Sequence, residues 1–599
     1  MTLTAVAVLS LVAGALVLRV YRLDGRSLWI DEILSSQPAH LDGPLAVVAW
    51  SRAAINQMPL FYLFTWLLGR WGDSAFVLRL PAAIAGTLLV PCVYITGRST
   101  LGVRAGLIAA LMTAALPFTV WYSQEARAYS LLMLLTTLQM YFAFKAITQG
   151  RFADWAGLAA ASVANLYTHY VALAALAAVA VYVGGFVAAD LLRGTSTRIK
   201  LGAGFLGAAF LASVLVERRA ILRLASDLLL RAHGHRTLLL GILGLIAALA
   251  VAVGAGAWRL SRRFRQASSS PRLRRLEFAL ATAAVIAVAY APWLPSLRVF
   301  LSRPDQSLGQ IHVAHTPGLA DLAATLDALS ISGALAVMLV AGLVALGFWT
   351  FSGRAAGAGL LLAWTGVPVA IVALTAGVNA LAIDARYVSF LLPAALIAIA
   401  GGVEAVVSAG QAAIRSFKGP PPLLTPRAAV VATVVLCLAL LAQTVPALAA
   451  SYGYAKNDWR GAAMRVAASK PDAAGVISLG NYADWSVICL DYYFRELHTP
   501  IDVEDGRTLK PNLADRLRAA GGPVWGMVIF PSAEQTALML NSGLVRVDFI
   551  DSTRSIWLVR PADGNLAPLG QASTLLRWEL PLQPELAASL AQLGGGGAT

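Results

Sequence analysis

Carboxylates are scarce in this chain, 31 Asp and Glu against 46 Lys and Arg in 599 residues. An adjacent acidic pair therefore stands out. Asp31 and Glu32 follow Trp29 and Ile30 just behind the first apolar run. A solvated loop end is the plain account, because charges ordinarily sit where water is. The apolar and aromatic residues on both sides argue instead for a pair held against a bilayer interface. A carboxylate there can draw the proton from a hydroxyl as it attacks, which is the work of a general base. Other polar groups have the types to serve it. Glu125 and Arg127 lie in Ser-Gln-Glu-Ala-Arg-Ala-Tyr at 123–129, His169 in Tyr-Thr-His-Tyr at 167–170, and Arg386 with Tyr387 in Asp-Ala-Arg-Tyr at 384–387. Arginine holds phosphate bidentately through its planar fork. Each group also has a plain reading. Glu125 and Arg127 can pair with each other or with lipid headgroups, and Arg386 can be a headgroup anchor. His169, with no second His or acid close in sequence, reads as a hydrogen-bonded turn residue rather than a metal ligand.

The elements that must position these groups are membrane helices. The chain is 58% hydrophobic and 13% charged, with a mean hydropathy of +0.71, which describes an α-helical polytopic membrane protein. A net charge of +15 would suit nucleic acid, but the basic residues fall between apolar runs, the pattern of a positive-inside bias. The three cysteines are far apart, and Cys92 and Cys437 sit within apolar runs, so no disulfide framework or metal spacing follows. The first run lacks a basic leader and a small-residue cleavage site, and it reads as a retained span.

Apolar runs fall at 3–20, 79–97, 105–122, 129–148, 154–168, 171–189, 201–216, 238–257, 278–293, 331–351, 357–377, 387–404 and 428–447. That predicts about thirteen spans of ~20 residues, the length a helix needs to cross. Residues 154–189 are too long for one crossing, and the polar tetrad at 167–170 is the natural turn. The first loop, 21–78, carries the Asp-Glu pair and short amphipathic pieces at 45–54 and 60–68. Lys and Arg in alternate loops (Arg98, Arg104, Arg151, Arg193, Arg198, Lys200, the basic segment 258–277, Arg354, Arg415, Lys418, Arg427) put those loops in the cytoplasm. The acidic pair, the 122–129 loop, His169 and the C-terminal region then face outside. The basic stretch 217–236 runs against this count and reads as an interfacial helix. Residues 1–450 form the membrane domain. Residues 451–565 alternate helix-like pieces (458–469, 483–497, 514–520) with strand-like ones (475–479, 524–530, 544–550, 555–559), a small soluble α/β domain outside. Residues 566–599, ending in Gly-Gly-Gly-Gly-Ala-Thr, form a loosely ordered tail.

In order along the chain come Ser-Leu-Trp-Ile-Asp-Glu at 27–32, Trp-Tyr-Ser-Gln-Glu-Ala-Arg-Ala-Tyr-Ser at 121–130, Tyr-Thr-His-Tyr at 167–170, Tyr-Ala-Pro-Trp-Leu-Pro at 290–295, Ala-Arg-Tyr at 385–387 and Asn-Asp-Trp-Arg-Gly at 457–461. Together they resemble the GT-C integral-membrane glycosyltransferases related to protein O-mannosyltransferases and to the aminoarabinose transferase of lipid A. The resemblance implies a GT-C membrane fold and a hexosyl or pentosyl transfer from a polyprenyl-phosphate donor, usually with inversion, to an acceptor outside the bacterial inner membrane. The acceptor would be a lipid, a glycan or a protein, and nucleic acid is not a partner. The first acid of the Asp-Glu motif acts as catalytic base in these families, which carries over to Asp31, with Glu32 shaping the site beside it. By the same likeness Arg127 and Arg386 take the leaving phosphate, and Glu125, His169, Tyr387 and Gln57 join the donor site. The aminoarabinose transferases carry an acid-lysine pair before a Pro-Pro-Leu-Tyr-like segment, where this chain has Asn56-Gln-Met-Pro-Leu-Phe-Tyr62. That departure leaves the sugar open, and a divalent metal is neither excluded nor required.

The chemistry agrees with the likeness. A hydroxyl becomes a good nucleophile as its proton is withdrawn, and a phosphate leaving group calls for positive charge rather than an acid. A lipid-linked donor also accounts for the lack of a Gly-rich nucleotide loop. A lipid or glycolipid transporter or flippase is the alternative, but it predicts repeat symmetry and mid-membrane ionisable groups. Here the spans are nearly free of acids. An assembly scaffold would leave Asp31-Glu32 without a task.

Overall fold

The computed structural model describes residues 2–192, 271–302, 319–350, 352–375, 385–416, 426–452, 458–469, 475–479, 483–498, 503–505, 524–529, 544–549 and 556–561. The chain divides into two compact units, Met1–Leu23 with Ser35–Ser451, and Asp24–Leu34 with Tyr452–Thr599.

The first unit is helical. It opens with α1 (Leu3–Val20), while α2 (Ile30–Leu34) belongs to the second unit. Next come α3 (Pro44–Ala53), α4 (Leu60–Leu68) and α5 (Ala75–Thr100), the last started by a Ser74 cap on Val77 N. α6 (Val103–Ala115) and α7 (Pro117–Ser123) together fill one expected span, bent by 57°. Pro117 has no N–H to continue the ladder and pushes Leu116 into extended backbone, φ −64° and ψ 130°. α8 (Tyr129–Thr148), α9 (Phe152–Leu166) and α10 (Ala172–Leu192) follow, with the turn where the polar tetrad predicts it. The remaining helices are α11 (Pro271–Tyr290), α12 (Leu294–Ser302), α13 (Leu319–Ala328), α14 (Ala334–Trp349), α15 (Ala355–Thr375), α16 (Leu392–Ser416), α17 (Pro426–Ala442) and α18 (Val445–Ser451). A tight 3-10 stretch, Ala385–Leu391, leads into α16.

Among the described residues seven helices are long and apolar enough to cross a membrane, eight if the bent pair is one span. This is a mostly helical, multi-pass membrane protein. The expected thirteen differ from this for two reasons. The runs at 201–216 and 238–257 lie outside the described residues. α9 and α14, with 15 and 16 residues, and the apolar stretch Ala355–Ile371 of α15 fall short of the ~20 a crossing helix needs. Small residues let helices approach closely. A Cβ on Gly342 would fall on Ala398 O and one on Gly402 on Met338 O, which fixes the α14–α16 crossing.

Contacts sort the helix ends of this unit into two rims. Arg79 Nη1 donates to Leu23 O at 2.8 Å, Leu60 N to Tyr167 O at 2.9 Å and Tyr167 OH to Ala289 O at 2.8 Å. These bonds, with those described below, gather the ends near 21–23, 56–62, 75–79, 123–129, 167–171, 289–296 and 385–391. At the opposite rim Asp190 pairs with Arg275, joining the end of α10 to the start of α11. Gly357 lies so close to Thr100 that a Cβ would meet its carbonyl, which sets the start of α15 beside the end of α5.

The second unit holds α2, α19 (Trp459–Ser469), α20 (Ala483–Glu496) and five strands, β1 (Gly475–Leu479), β2 (Val503–Asp505), β3 (Val524–Ile529), β4 (Leu544–Phe549) and β5 (Ile556–Pro561). The sheet order is β2-β1-β3-β5-β4. β1 is parallel to β2 and β3, and β5 runs antiparallel to both β3 and β4, with a register shift between Arg546 and Asp548. α20 is the crossover that parallel β1 and β2 require. β2, only three residues long, has no strand pattern in the sequence, and the helix predicted at 514–520, like the tail at 566–599, lies outside the described residues.

The sequence assigns the whole 21–78 loop to the membrane domain; in the structure residues 24–34 group with the C-terminal unit. The cause is local: Leu28 N donates to the Tyr493 hydroxyl of α20 at 2.5 Å, and Leu28 and Ile33 are buried.

Candidate active site

The Ser-Gln-Glu-Ala-Arg block begins where α7 stops, and its first two residues build the frame. Arg19, fully buried in α1, donates through Nε to Ser123 Oγ at 3.1 Å. Its Nη1 and Nη2 reach Ala114 O at 3.0 Å and Thr113 O at 2.9 Å, carbonyls that the break at Pro117 leaves open. In return, Gln124 Nε2 donates to Leu18 O, Arg19 O and Tyr21 O at 3.3, 3.1 and 2.8 Å, which closes the end of α1. Gly86 leaves the space: a Cβ there would fall on Ser123 Oγ and stand 3.0 Å from Arg19 Nε. Arg19 and Gly86 belong to none of the motifs, and Gln124 enters only as part of the Ser-Gln-Glu-Ala-Arg block. The available signal was a lone arginine in the last turn of an apolar span.

Beyond this frame the candidate residues of the first unit come together. Arg127 N donates to Glu125 O at 2.7 Å in a tight turn that buries Glu125, and Arg127 Nη1 donates to Tyr62 OH at 3.3 Å. The Tyr129 ring lies 5.9 Å from His169 and 6.5 Å from Tyr387, and His169 lies 5.9 Å from Tyr387. The Arg386 guanidinium sits 5.1 Å over the Tyr387 ring, and Trp364 Nε1 secures the stretch by donating to Phe390 O at 3.0 Å. Asp384 lies outside the described residues.

His169 is buried, and its surroundings decide its charge. Burial first, then Arg127 and Arg386, lower its pKa from 6.5 to about 3, so it is neutral at ordinary pH. Val171 N donates to Nδ1 at 3.3 Å, which leaves the proton on Nε2 as a donor. Two guanidinium groups within electrostatic reach of one neutral imidazole make a place suited to an anion.

Gln57 follows Asn56, which meets the 167–170 turn. Its backbone N–H bonds Ser51 O at 2.9 Å, while its neighbour Asn56, at φ 46°, accepts from Tyr170 OH at 3.3 Å and donates to Ser296 O at 3.3 Å. Asn is one of the few side chains that take this left-handed backbone readily. Arg52 secures the same corner, donating to Ser296 Oγ at 3.0 Å and Pro292 O at 2.7 Å beneath the Trp293 ring. That gives the Tyr-Ala-Pro-Trp-Leu-Pro motif a structural task. No described contact carries the Gln57 side chain into the His169 cluster.

Asp31 and Glu32 lie in the second unit, in the first turn of α2. Glu32 is buried, and Trp29 N lies 3.4 Å from its Oε2, a carboxylate closing the helix start. Asp31 is half-buried, so of the two it is the one that solvent or substrate can reach. Among the described residues no cluster of His, Cys, Asp and Glu could hold a metal ion.

Between α9 and α11 runs an apolar slot of about 700 Å³. It extends from Phe152, near the opposite rim, past Trp155, Val163 and Val285 to Tyr167, two residues before His169.

Residues 56–226 match the dolichyl-phosphate-mannose-protein mannosyltransferase family. This is the kinship the motifs resemble, and the matched stretch takes in Gln57, Glu125, Arg127 and His169. A comparison with curated proteins finds no match. Among solved structures, the oligosaccharyltransferase AglB of Archaeoglobus fulgidus, in complex with an inhibitory peptide and a dolichol-phosphate, aligns at 13% identity with a TM-score of 0.49 over 95% of this chain and 75% of its own. ArnT from Cupriavidus metallidurans aligns in its apo state at 13% identity and TM-score 0.48, and bound to undecaprenyl phosphate at 14% and 0.46. Both alignments cover 93% of this chain and 98% of that one.

Proposed function

We infer that the protein is a glycosyltransferase that moves a sugar from a polyprenyl-phosphate donor to an acceptor hydroxyl at the outer face of the membrane, with inversion. The observation that carries this reading is the convergence of Arg127 and Arg386 on the neutral His169, with Arg127 and His169 both in the family-matched stretch. In the transfer the acceptor oxygen forms a bond to the anomeric carbon as the bond from that carbon to the phosphate oxygen breaks. The acceptor proton goes to Asp31. The leaving polyprenyl phosphate gains a negative charge in the transition state, and Arg127 and Arg386 stabilise that charge where it develops. The Nε2–H of His169 supplies a neutral donor to an oxygen of the phosphate or sugar, Tyr387 and Tyr129 pack their rings beside the imidazole, and Glu125 holds the turn that presents Arg127. The slot ending at Tyr167 has the apolar lining that an isoprenoid chain needs. Glu32 positions Asp31 by fixing the start of α2.

The test is to incubate the purified protein with candidate polyprenyl-phosphate sugars and acceptors and to follow free polyprenyl phosphate together with the glycosylated product. Equal amounts of both, with the anomeric configuration inverted, are expected. Movement of the donor between leaflets of a vesicle with no polyprenyl phosphate released would replace this reading by a flippase.

A further inference from the structure

The Asp31-Glu32 helix is built into the C-terminal unit by a small set of hydrogen bonds centred on one hydroxyl. Tyr493 of α20 is 2% exposed. Its OH accepts from Leu28 N at 2.5 Å and from Ser27 Oγ at 3.1 Å, and lies 3.4 Å from Leu28 O. Ser27 Oγ in turn accepts from Arg460 N at 3.1 Å. Asp458 fixes that amide's place, since its Oδ1 accepts from Gly461 N at 2.9 Å and caps α19. Ser27 opens the Ser-Leu-Trp-Ile-Asp-Glu motif and Asp458 to Gly461 belong to the Asn-Asp-Trp-Arg-Gly motif. Two motifs more than 400 residues apart in sequence therefore meet at one hydroxyl.

Two residues after the clamped Leu28, α2 begins. Trp29 O accepts from Glu32 N at 2.9 Å and from Ile33 N at 3.0 Å, so the backbone that Tyr493 fixes is continuous with the turn bearing Asp31. The face of α20 beneath it is formed by Cys489, Leu490, Tyr493 and Phe494, all buried. The helix bearing Asp31 packs against α20; burial first and the Asp31 carboxylate second push the Cys489 thiol well above its ordinary pKa.

We propose that Tyr493 is a positioning residue for the transfer step, acting through the Ser27–Leu28 backbone to set Asp31, and that this is the task of the C-terminal unit. The proposal rests on Asp31 being the base. A base misplaced by about 1 Å can cost on the order of 10²-fold in rate, so the loss of one hydroxyl has a measurable effect even where the fold survives.

The experiment is a double-mutant cycle in the full-length protein. Tyr493→Phe removes only the hydroxyl. It should lower transfer at saturating donor by about 10-fold or more, with binding of polyprenyl phosphate unchanged and only a modest drop in melting temperature from the buried Leu28 N–H that loses its acceptor. In an Asp31→Asn background the same substitution should cost less than about 2-fold, because a residue acting through Asp31 has nothing left to position. Hydrogen exchange should quicken at residues 24–34 and stay unchanged in β1. Ser27→Ala should repeat the pattern more weakly, and it carries the cycle if Tyr493→Phe is not monodisperse. Full transfer by Tyr493→Phe, an equal loss in both backgrounds, or unchanged exchange at 24–34 would overturn the proposal. Full transfer by Asp31→Asn alone would overturn the assignment of the base instead, so the two failures are told apart.

Discussion

At the scale of single residues, the roles proposed for Asp31 and Arg386 separate cleanly by experiment. Asp31→Asn keeps the shape and removes the proton acceptor, so transfer should fall by roughly 10²–10⁴ while donor affinity persists. Arg386→Ala removes charge from the leaving group and should weaken both rate and donor binding. Transfer rates and polyprenyl-phosphate affinities of the two variants would show this, and a common pattern for both would count against separate roles. His169 supplies a pH signature. Burial, Arg127 and Arg386 lower its folded pKa to about 3 from the ordinary 6.5. As pH falls through 6.5 the unfolded chain takes up that proton while the folded one does not. The stability present above pH 6.5 is therefore lost progressively towards about pH 3. Melting temperatures of the wild type and His169→Gln between pH 7 and 4 should show a steeper acid loss in the wild type. Parallel curves would mean that the imidazole titrates alike in both states.

At the scale of elements, the break between α6 and α7 is the feature on which the proposed donor site depends. Pro117 makes the break and Arg19 caps the carbonyls it exposes. Gly86 is small because Ser123 and Arg19 occupy the space beside it. Gly86→Ala should cost about 1–3 kcal/mol by overpacking and should also weaken polyprenyl-phosphate binding, since Ser123 moves and Arg127 with it. Arg19→Leu should destabilise by taking the guanidinium donor from Ala114 O, about 1–3 kcal/mol for such a buried group, while Thr113 O keeps its bond from Thr119 Oγ1. Thermal unfolding in detergent measures both. A Gly86→Ala protein with unchanged melting and unchanged affinity would show that the turn at 123–127 is held by other means.

For the molecule as a whole, the helix ends of the membrane unit fall at two rims, and the candidate donor residues Glu125, Arg127, His169, Arg386 and Tyr387 all lie at one of them. Single cysteines placed in the 258–277 loop and in the 451–565 region should label from opposite sides of the membrane, with the second reached from outside. Labelling of both by an impermeant reagent added outside would reverse the orientation and move the site to the cytoplasm.

Most of the membrane architecture is legible in the sequence, because a helix in lipid must satisfy its own backbone and so announces itself as a long apolar run. The turn at 167–170 is legible for the same reason, as polar residues interrupting a run too long to cross once. The candidate residues were legible by type: acids and arginines are costly near lipid, and few are present without cause. What the one-dimensional pattern does not contain is the pairing of distant segments. Nothing near Ser27 in sequence says that its partner is Tyr493, and nothing in the first span says that Arg19 closes a break made at Pro117. These contacts are set by the geometry of hydrogen-bond donors and buried acceptors once the helices have packed. The residues that could do chemistry were therefore written in composition and spacing, whereas the assignment of Asp31 to the C-terminal unit, and of Ser123 and Gln124 to the frame rather than the site, was decided by tertiary structure alone.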